Sequence, residues 1–379
     1  MTVRSRLMAA AATLTLLACG GAPDATEIHI GVAGPLAQAS GRSMQRAAAM
    51  AADEINRGGA LNGRTLLLIA RDDGASAQGA IEVARELRDD PRVVAVVGHI
   101  NSAATLAASR IYNDPRRGVV QISPASSSPE ITGAGAWTFR VCPTDLQHGP
   151  ALARWAYDEL GSRRALVLYA NDAYGRGVLD TFAEAFREAG GVIISTDPFL
   201  PEMMQDGTEL DAYLRRGVAA SMDALMIAGQ AEEGARVVSA ARRLGYSGPV
   251  LGPDGMTGLR EQGELADGVF VSSAFLPDTP AENARAFVLA YQERFGELPD
   301  HRAAMTYDAV MLLAQGLAEV GPQRGALRDY LAAVGSSRPP FEGVAGTIAF
   351  DENGDVAGKD VAVGVIRDGR LQSAARTGT

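Results

Sequence analysis

Short apolar runs alternate with amphipathic stretches along most of the chain. Residues 28–32, 65–70, 93–97 and 118–122 read as strands, the third apolar without interruption. Between them, 43–56 carries Met44, Ala47, Ala48, Ala51 and Ile55 at helical spacing and stops at an Arg-Gly-Gly. Segments 78–88 and 103–113 repeat that pattern. The order then restarts. Helices at 148–160, 178–189, 208–218 and 232–244 alternate with strands at 165–169, 191–196, 224–228, 249–251 and 268–273. Three helices follow as a block, at 281–295, 303–320 and 325–333. In the tail, 346–350 and 361–367 predict a hairpin around DENGD, where Asn353-Gly354 is a turn signal.

Uninterrupted strands separated by amphipathic helices predict an α/β fold with parallel sheets covered on both faces. A length of 379 residues fits two such doubly wound, Rossmann-like units with a cleft between them. In open α/β sheets, ligands bind beyond the C-terminal ends of the strands. The segments standing there are GPLAQASG, DDGAS, GHINSA, SPASSSPE, NDAYGRG, GQAEEG and GPDG, all rich in Ser, Gly and Asp.

Composition narrows the function. Apolar residues make up 47% but aromatics only 6%, so the cores are built from Ala, Val, Leu and Ile. The net charge of −10, with no block of like charge, argues against a nucleic-acid partner. At the N-terminus, Arg4 and Arg6 precede an apolar stretch, 7–17, too short for a stable membrane span. The following Leu-Leu-Ala-Cys resembles a bacterial lipoprotein signal, in which Cys19 would carry lipid and become the new N-terminus. An ordinary secretory signal is the alternative. Residues 1–18 are then a signal peptide and 19–26 a tether. Cys142, left without a partner, is expected to be a buried, inert thiol.

Catalytic chemistry finds no support. The four histidines, His29, His99, His148 and His301, show no metal-ligand spacing. There is no GxSxG, GxGxxG or GxxxxGK[ST]. No metal, cofactor or enzymatic activity is therefore expected. Asp72 and Asp73 read as acids meeting backbone amides at a strand exit, and the Arg pairs as solvated helix ends. What remains is a set of neutral hydroxyls, exposed amides and one or two acids at strand ends. That set suits a small zwitterion: hydroxyls and amides hold a carboxylate, and an acid holds an ammonium. The segment QISPASSSPEI, with Ser126, Ser127 and Ser128 at a strand exit, offers such donors. A Ser-rich turn and helix cap is the plainer alternative.

Taken in order, the stretches IGVAGPL, AAAMAADEINRGGALNGRTL, VVGHINSAAT, ISPASSSPEIT, FRVCPTD, NDAYGRG, LGPDG and TYDAV resemble the type I periplasmic binding proteins of the branched-chain amino acid family, from about Glu27 to Arg370. The resemblance implies an extracytoplasmic substrate-binding component of an ABC importer, with permease and ATPase subunits as partners and the membrane reached only through a lipid anchor. A sensor of the same fold, binding an amide or urea-like molecule, is the alternative. The resemblance assigns Ser102 to the ligand carboxylate, with Ser126 acting through its backbone and Ser127 through its hydroxyl. It makes Tyr174 a residue that closes over the ligand and gives Asp254 the α-ammonium. Two positions depart from the family pattern: an aromatic in the first loop is replaced around Ser40, and Gln230 stands where a Tyr is usual. With Arg42 and Glu232 near these positions, the side-chain pocket is expected to be more polar or larger. The resemblance also implies three chain crossings between two lobes, near 142–147, 273–277 and 342–346. Lobe one would hold 27–144 and 275–344, and lobe two 146–273 and 346–379.

Overall fold

The computed structural model describes residues 26–278 and 282–375. The signal segment, Cys19 and nearly all of the tether lie outside the described residues. The first unit runs β1 (Glu27–Gly34), α1 (Ala39–Gly58), β2 (Thr65–Asp72), α2 (Ala77–Asp89), β3 (Val93–Gly98), α3 (Ser102–Tyr112), β4 (Val120–Ser123) and β5 (Thr138–Arg140). A second unit follows with α4 (Asp145–Arg154), β6 (Arg164–Ala170), α5 (Ala173–Glu188), β7 (Val192–Phe199), α6 (Asp211–Ala219), β8 (Ala224–Ala228), α7 (Ala231–Arg243), β9 (Val250–Gly252), a 3₁₀ segment (Asp254–Ala266) and β10 (Val269–Ser273). Helices α8 (Glu282–Phe295), α9 (His301–Val320) and α10 (Arg324–Ala333) come next. Short strands β11 (Phe341–Gly343), β12 (Gly346–Ile348), β13 (Ala362–Arg367) and β14 (Arg370–Ser373) end the chain.

The first sheet is ordered β2-β1-β3-β4-β5 and is parallel throughout. The second is ordered β14-β13-β10-β9-β8-β6-β7, parallel except for the β13 and β14 pairings. Each sheet thus reverses its strand order once, between β1 and β3 and between β6 and β8. Such switch points are where α/β sheets open a crevice. The central strands are buried on both faces: all of β3 and all of β8 are inaccessible, as continuous apolar sequence requires. Pro198, which has no amide to donate, is accommodated because β7 is an edge strand.

Helices cover both faces of each sheet. Met44, Ala47 and Ala51 of α1 and Met305, Ala309 and Leu313 of α9 pack with Ile28, Ile30 and Val32. Ala80, Val83 and Ala84 of α2 and Ala104 and Ala108 of α3 meet Ala33 and Val96 on the other face. In β6, Leu166 and Leu168 face Val237 and Leu214, while Ala165 and Val167 face Phe182 and Val178. This is the two-residue period of a strand buried on both sides. Helix starts are capped by side chains: Ser76 and Asp172, which follow strands, and Asp300, which follows α8, each accept an amide hydrogen bond three residues on.

The expected tail hairpin does not form. Residues 346–348 pair with 341–343, and 362–367 pair with β10 and β14. The Asn353-Gly354 turn is present, but it closes only a tight loop in which Asp351 accepts from the Asn353 and Asp355 amides. Asp355 is then held by Arg140, at 2.5 Å from Nε and 2.7 Å from Nη2, and the return is limited to a single antiparallel bridge between Phe350 and Val356. The hairpin partner of β13 is instead set by Asp368-Gly369, both at positive φ, which joins it to β14. Ile348, Phe350 and Val356 pack into the first unit's core. Cys142 is buried, and burial pushes its thiol up to about 12, which keeps it protonated. Among the described residues no helix is long and apolar enough to cross a membrane.

Candidate functional site

A small cavity of about 10 Å³, room for little more than one water, lies where the C-terminal ends of the two sheets face each other. Ile100 and Ser102 follow β3, and Ala125 follows β4. Tyr174 follows β6, Gln230 follows β8, and Asp254 and Gly255 follow β9. Arg302, in the first turn of α9, completes the lining. For Ser102, Tyr174, Gln230, Asp254 and Gly255 the local reason is shared. A strand ends, a cap residue stops the extended backbone, and the next residues begin a helix with their amides turned to the crevice.

Asp254 is the charged centre of one wall. Its Oδ1 accepts from Tyr174 Oη at 2.7 Å and from the Gly255 amide at 2.9 Å. His301 Nε2 and His148 Nε2 stand 3.5 and 3.9 Å from Oδ2. Burial pushes the Asp254 carboxyl up, but His148, His301, Tyr174 and Arg302 outweigh it and hold the group below the usual carboxylate range. Burial also pushes both imidazoles down, His301 to about 4, so they are neutral at physiological pH. An ionised carboxylate, flanked by two neutral imidazoles, the Tyr174 hydroxyl and the Arg302 cation, therefore faces the cavity. Gly255 is required beside it. A Cβ there would lie 2.6 Å from Tyr174 Oη and 2.9 Å from Gln230 Oε1.

The opposite wall carries the serines. Ser102 opens α3, lines the cavity and accepts the Ser128 amide at 3.3 Å. The hydroxyl of Ser127 is buried beside the Asp145 carboxyl, which burial pushes well above the usual carboxylate range. Ser128 Oγ donates to the Ala173 carbonyl at 2.9 Å, joining the first unit to α5. Ser126 is placed differently from the expectation. Its amide donates to Ser123 Oγ at 3.1 Å, its hydroxyl pairs with Thr105 Oγ1 at 2.7 Å, and its carbonyl accepts from Arg140. Ala125, one residue earlier, is the one that reaches the cavity. The whole loop is braced by Arg140, which is fully buried and also donates to the Ser128 carbonyl at 2.7 Å.

The remaining expectations divide. Tyr174, Asp254, Ser102 and Gln230 come together around the cavity. Ser40 does not: it is half-buried in the first turn of α1 and absent from the lining, because that helix begins at Ala39 and carries the position away. Arg42 and Glu232 are exposed, so neither makes the pocket polar. Arg302 does so instead, and sequence reasoning missed it. The available signal was a cation in the first turn of a helix, where the helix dipole opposes it. His148 and His301, set aside as catalytic candidates, are the neighbours of Asp254. Asp73, read as a strand-exit acid, does accept the Ala75 amide, but its other oxygen lies 2.5 Å from His99 Nδ1 in a buried pair. No cluster of His, Cys, Asp and Glu suited to a metal ion occurs among the described residues.

Comparison with known proteins agrees with this geometry. The profile of the periplasmic binding protein family matches residues 27–370. A Leu/Ile/Val-binding protein homolog of Brucella abortus is 28% identical over 363 residues, covering 93% of this chain and 94% of that protein. A leucine-, isoleucine-, valine-, threonine- and alanine-binding protein of Pseudomonas aeruginosa is 28% identical over 370 residues, covering 95% and 94%. Among solved structures, a substrate-binding protein of an ABC transporter from Desulfitobacterium hafniense, in complex with Leu, superposes with a TM-score of 0.80 at 30% identity, covering 92% of this chain and 100% of that one. A leucine-binding protein from Thermotoga maritima gives a TM-score of 0.83 at 28% identity, covering 92% and 98%. These relatives are solute-binding proteins rather than enzymes. Two doubly wound sheets, a cavity at their facing C-terminal ends and a family match over nearly the whole described chain lead to one assignment: this chain belongs to the type I periplasmic binding proteins of the branched-chain amino acid family.

Proposed function

We propose that the chain is the extracytoplasmic substrate-binding lipoprotein of an ABC importer, anchored through Cys19, and that it binds an α-amino acid between its two lobes. The observation that carries this reading is the buried, ionised Asp254 sharing one small cavity with Ser102, at the start of α3, and with Ala125. An ammonium would take the carboxylate of Asp254, under Tyr174. The α-carboxylate would take the hydroxyls of Ser102 and Ser127. The relatives named above support a transporter role with permease and ATPase partners.

Closure follows from the division of the site. Ser102, Ala125 and Ser127 belong to the first unit, and Tyr174, Gln230 and Asp254 to the second, so a ligand contacting both favours the closed state. We place the chain crossings near 142–147 and 273–277, and the third after Val356 rather than at 342–346, because Ile348, Phe350 and Val356 pack with the first core. A thermal-shift screen of the full chain against the α-amino acids, their amides, urea-like compounds and short peptides tests the reading. A ligand that binds only the folded state raises the melting temperature. A shift with one or more α-amino acids is expected. A shift confined to amides or other non-zwitterions overturns it.

A further inference from the structure

Arg302 lines the cavity and is only 6% exposed. The protein leaves much of its hydrogen-bonding capacity unused. Its Nη1 donates to Thr257 Oγ1 at 3.1 Å, and its Nη2 reaches Gln230 Oε1 only at 3.5 Å. Asp300, the nearest acid, is 3.7 Å away, beyond hydrogen-bond distance. Asp300 is nonetheless its ion-pair partner, and draws on Arg302 more than on any other charge for its lowered carboxyl. It caps α9, accepting from Ser43 Oγ at 2.6 Å and from the Ala303 amide at 2.9 Å. A guanidinium has five N–H donors in a planar fork. Here a buried cation with donors to spare shares one small cavity with the buried anion Asp254.

We infer that the ligand is an acidic α-amino acid whose side-chain carboxylate is read by Arg302. This rests on the α-amino-acid frame proposed above. Each charge then has its own partner. Asp254 takes the ammonium, the serine wall takes the α-carboxylate, and Arg302 takes the second carboxylate, with Gln230 beside it. An aliphatic side chain in that position would press methyl groups against the guanidinium and strand its donors away from water. An acid instead forms charge-assisted hydrogen bonds, bidentate where the fork allows. The chemistry selects against the branched aliphatic ligands for which several relatives are named.

Calorimetric titration of the full chain with L-glutamate, L-aspartate, L-glutamine and L-leucine at neutral pH tests the inference. Glutamate or aspartate is expected to bind roughly a hundredfold more tightly than glutamine or leucine, the scale of losing one partner of a buried charge pair. Arg302→Met is expected to remove most of that preference and to improve leucine binding relative to glutamate. Should that variant fail to fold, the acid-versus-amide comparison on the unaltered chain decides alone. A structural latch between α9 and Thr257 would not distinguish glutamate from glutamine. Leucine or glutamine binding as tightly as the acids overturns the inference and leaves the proposed function standing. Binding of no α-amino acid overturns both.

Discussion

Asp254→Asn separates binding from folding. In the ligand-free protein the substitution keeps an acceptor for Tyr174 Oη, at 2.7 Å, and for the Gly255 amide, at 2.9 Å, while removing a buried charge. Neighbouring groups outweigh burial and favour the charge, so losing it should cost ligand-free stability modestly, about 1 kcal/mol. Ligand binding is different, because the ammonium loses its only ionised partner in the wall. Removing one member of a buried charge pair costs about 3 kcal/mol, roughly 150-fold in affinity. At a ligand concentration about a thousand times the original Kd, binding stabilises the unaltered protein by about 4 kcal/mol. The variant at the same concentration retains about 1.2 kcal/mol, so the ligand-induced melting shift falls to about a third. The assay is a pair of melting curves for each protein, with and without the amino acid that shifts the unaltered chain most. An undiminished shift in the variant refutes Asp254 as the ammonium partner. A large loss of ligand-free stability refutes the claim that protein groups alone support Asn there.

Two further outcomes follow from the same contacts. His301 is neutral when folded because burial pushes it to about 4, below its unfolded value near 6.5. The unfolded chain therefore takes up the proton first: the contribution of His301 is present above pH about 6.5 and is lost, by about 3 kcal/mol, as pH falls toward 4. Asp308, pushed up to about 6 by burial, titrates in the same window with the opposite sign. The readout is therefore the difference between urea-unfolding curves of the unaltered protein and His301→Gln, which is expected to flatten the acid-side fall. Arg140→Met breaks a fully buried ion pair with Asp355 and releases the carbonyls of Ser126 and Ser128. It should cost about 3–5 kcal/mol in urea unfolding, and Arg140→Met combined with Asp355→Leu should recover much of that; no difference between single and double variants would refute the pairing.

Legibility in the sequence followed locality. The Val93–Gly98 strand, the Ser76 and Asp172 caps and the strand-to-helix loops depend on neighbours a few residues away, and their pattern was readable. The tail was misread because Asn353-Gly354 states a turn but not its partner. Arg140, more than two hundred residues distant, captures Asp355, and the return stops at the single bridge between Phe350 and Val356. Ser40 was misplaced because its helix starts earlier than the apolar spacing shows, while Ser126 was displaced by local hydroxyl partners, Ser123 and Thr105. Arg302 lay in a helix far from every loop considered, and only the return of α9 to the first sheet brings it to the cavity.

The sequence by itself determined two doubly wound α/β units and their strand-end loops, and it singled out Ser102, Tyr174, Gln230 and Asp254, which the fold gathers around one cavity. Those follow from hydrophobic period and loop chemistry, which act over short stretches of chain. Only the tertiary structure decided which charges share the cavity: neutral His148 and His301 beside Asp254, and Arg302 within the same wall. Charge interactions and desolvation depend on distance in space and on exclusion of water. Neither is encoded at any one position, and both arise when segments remote in the chain pack together.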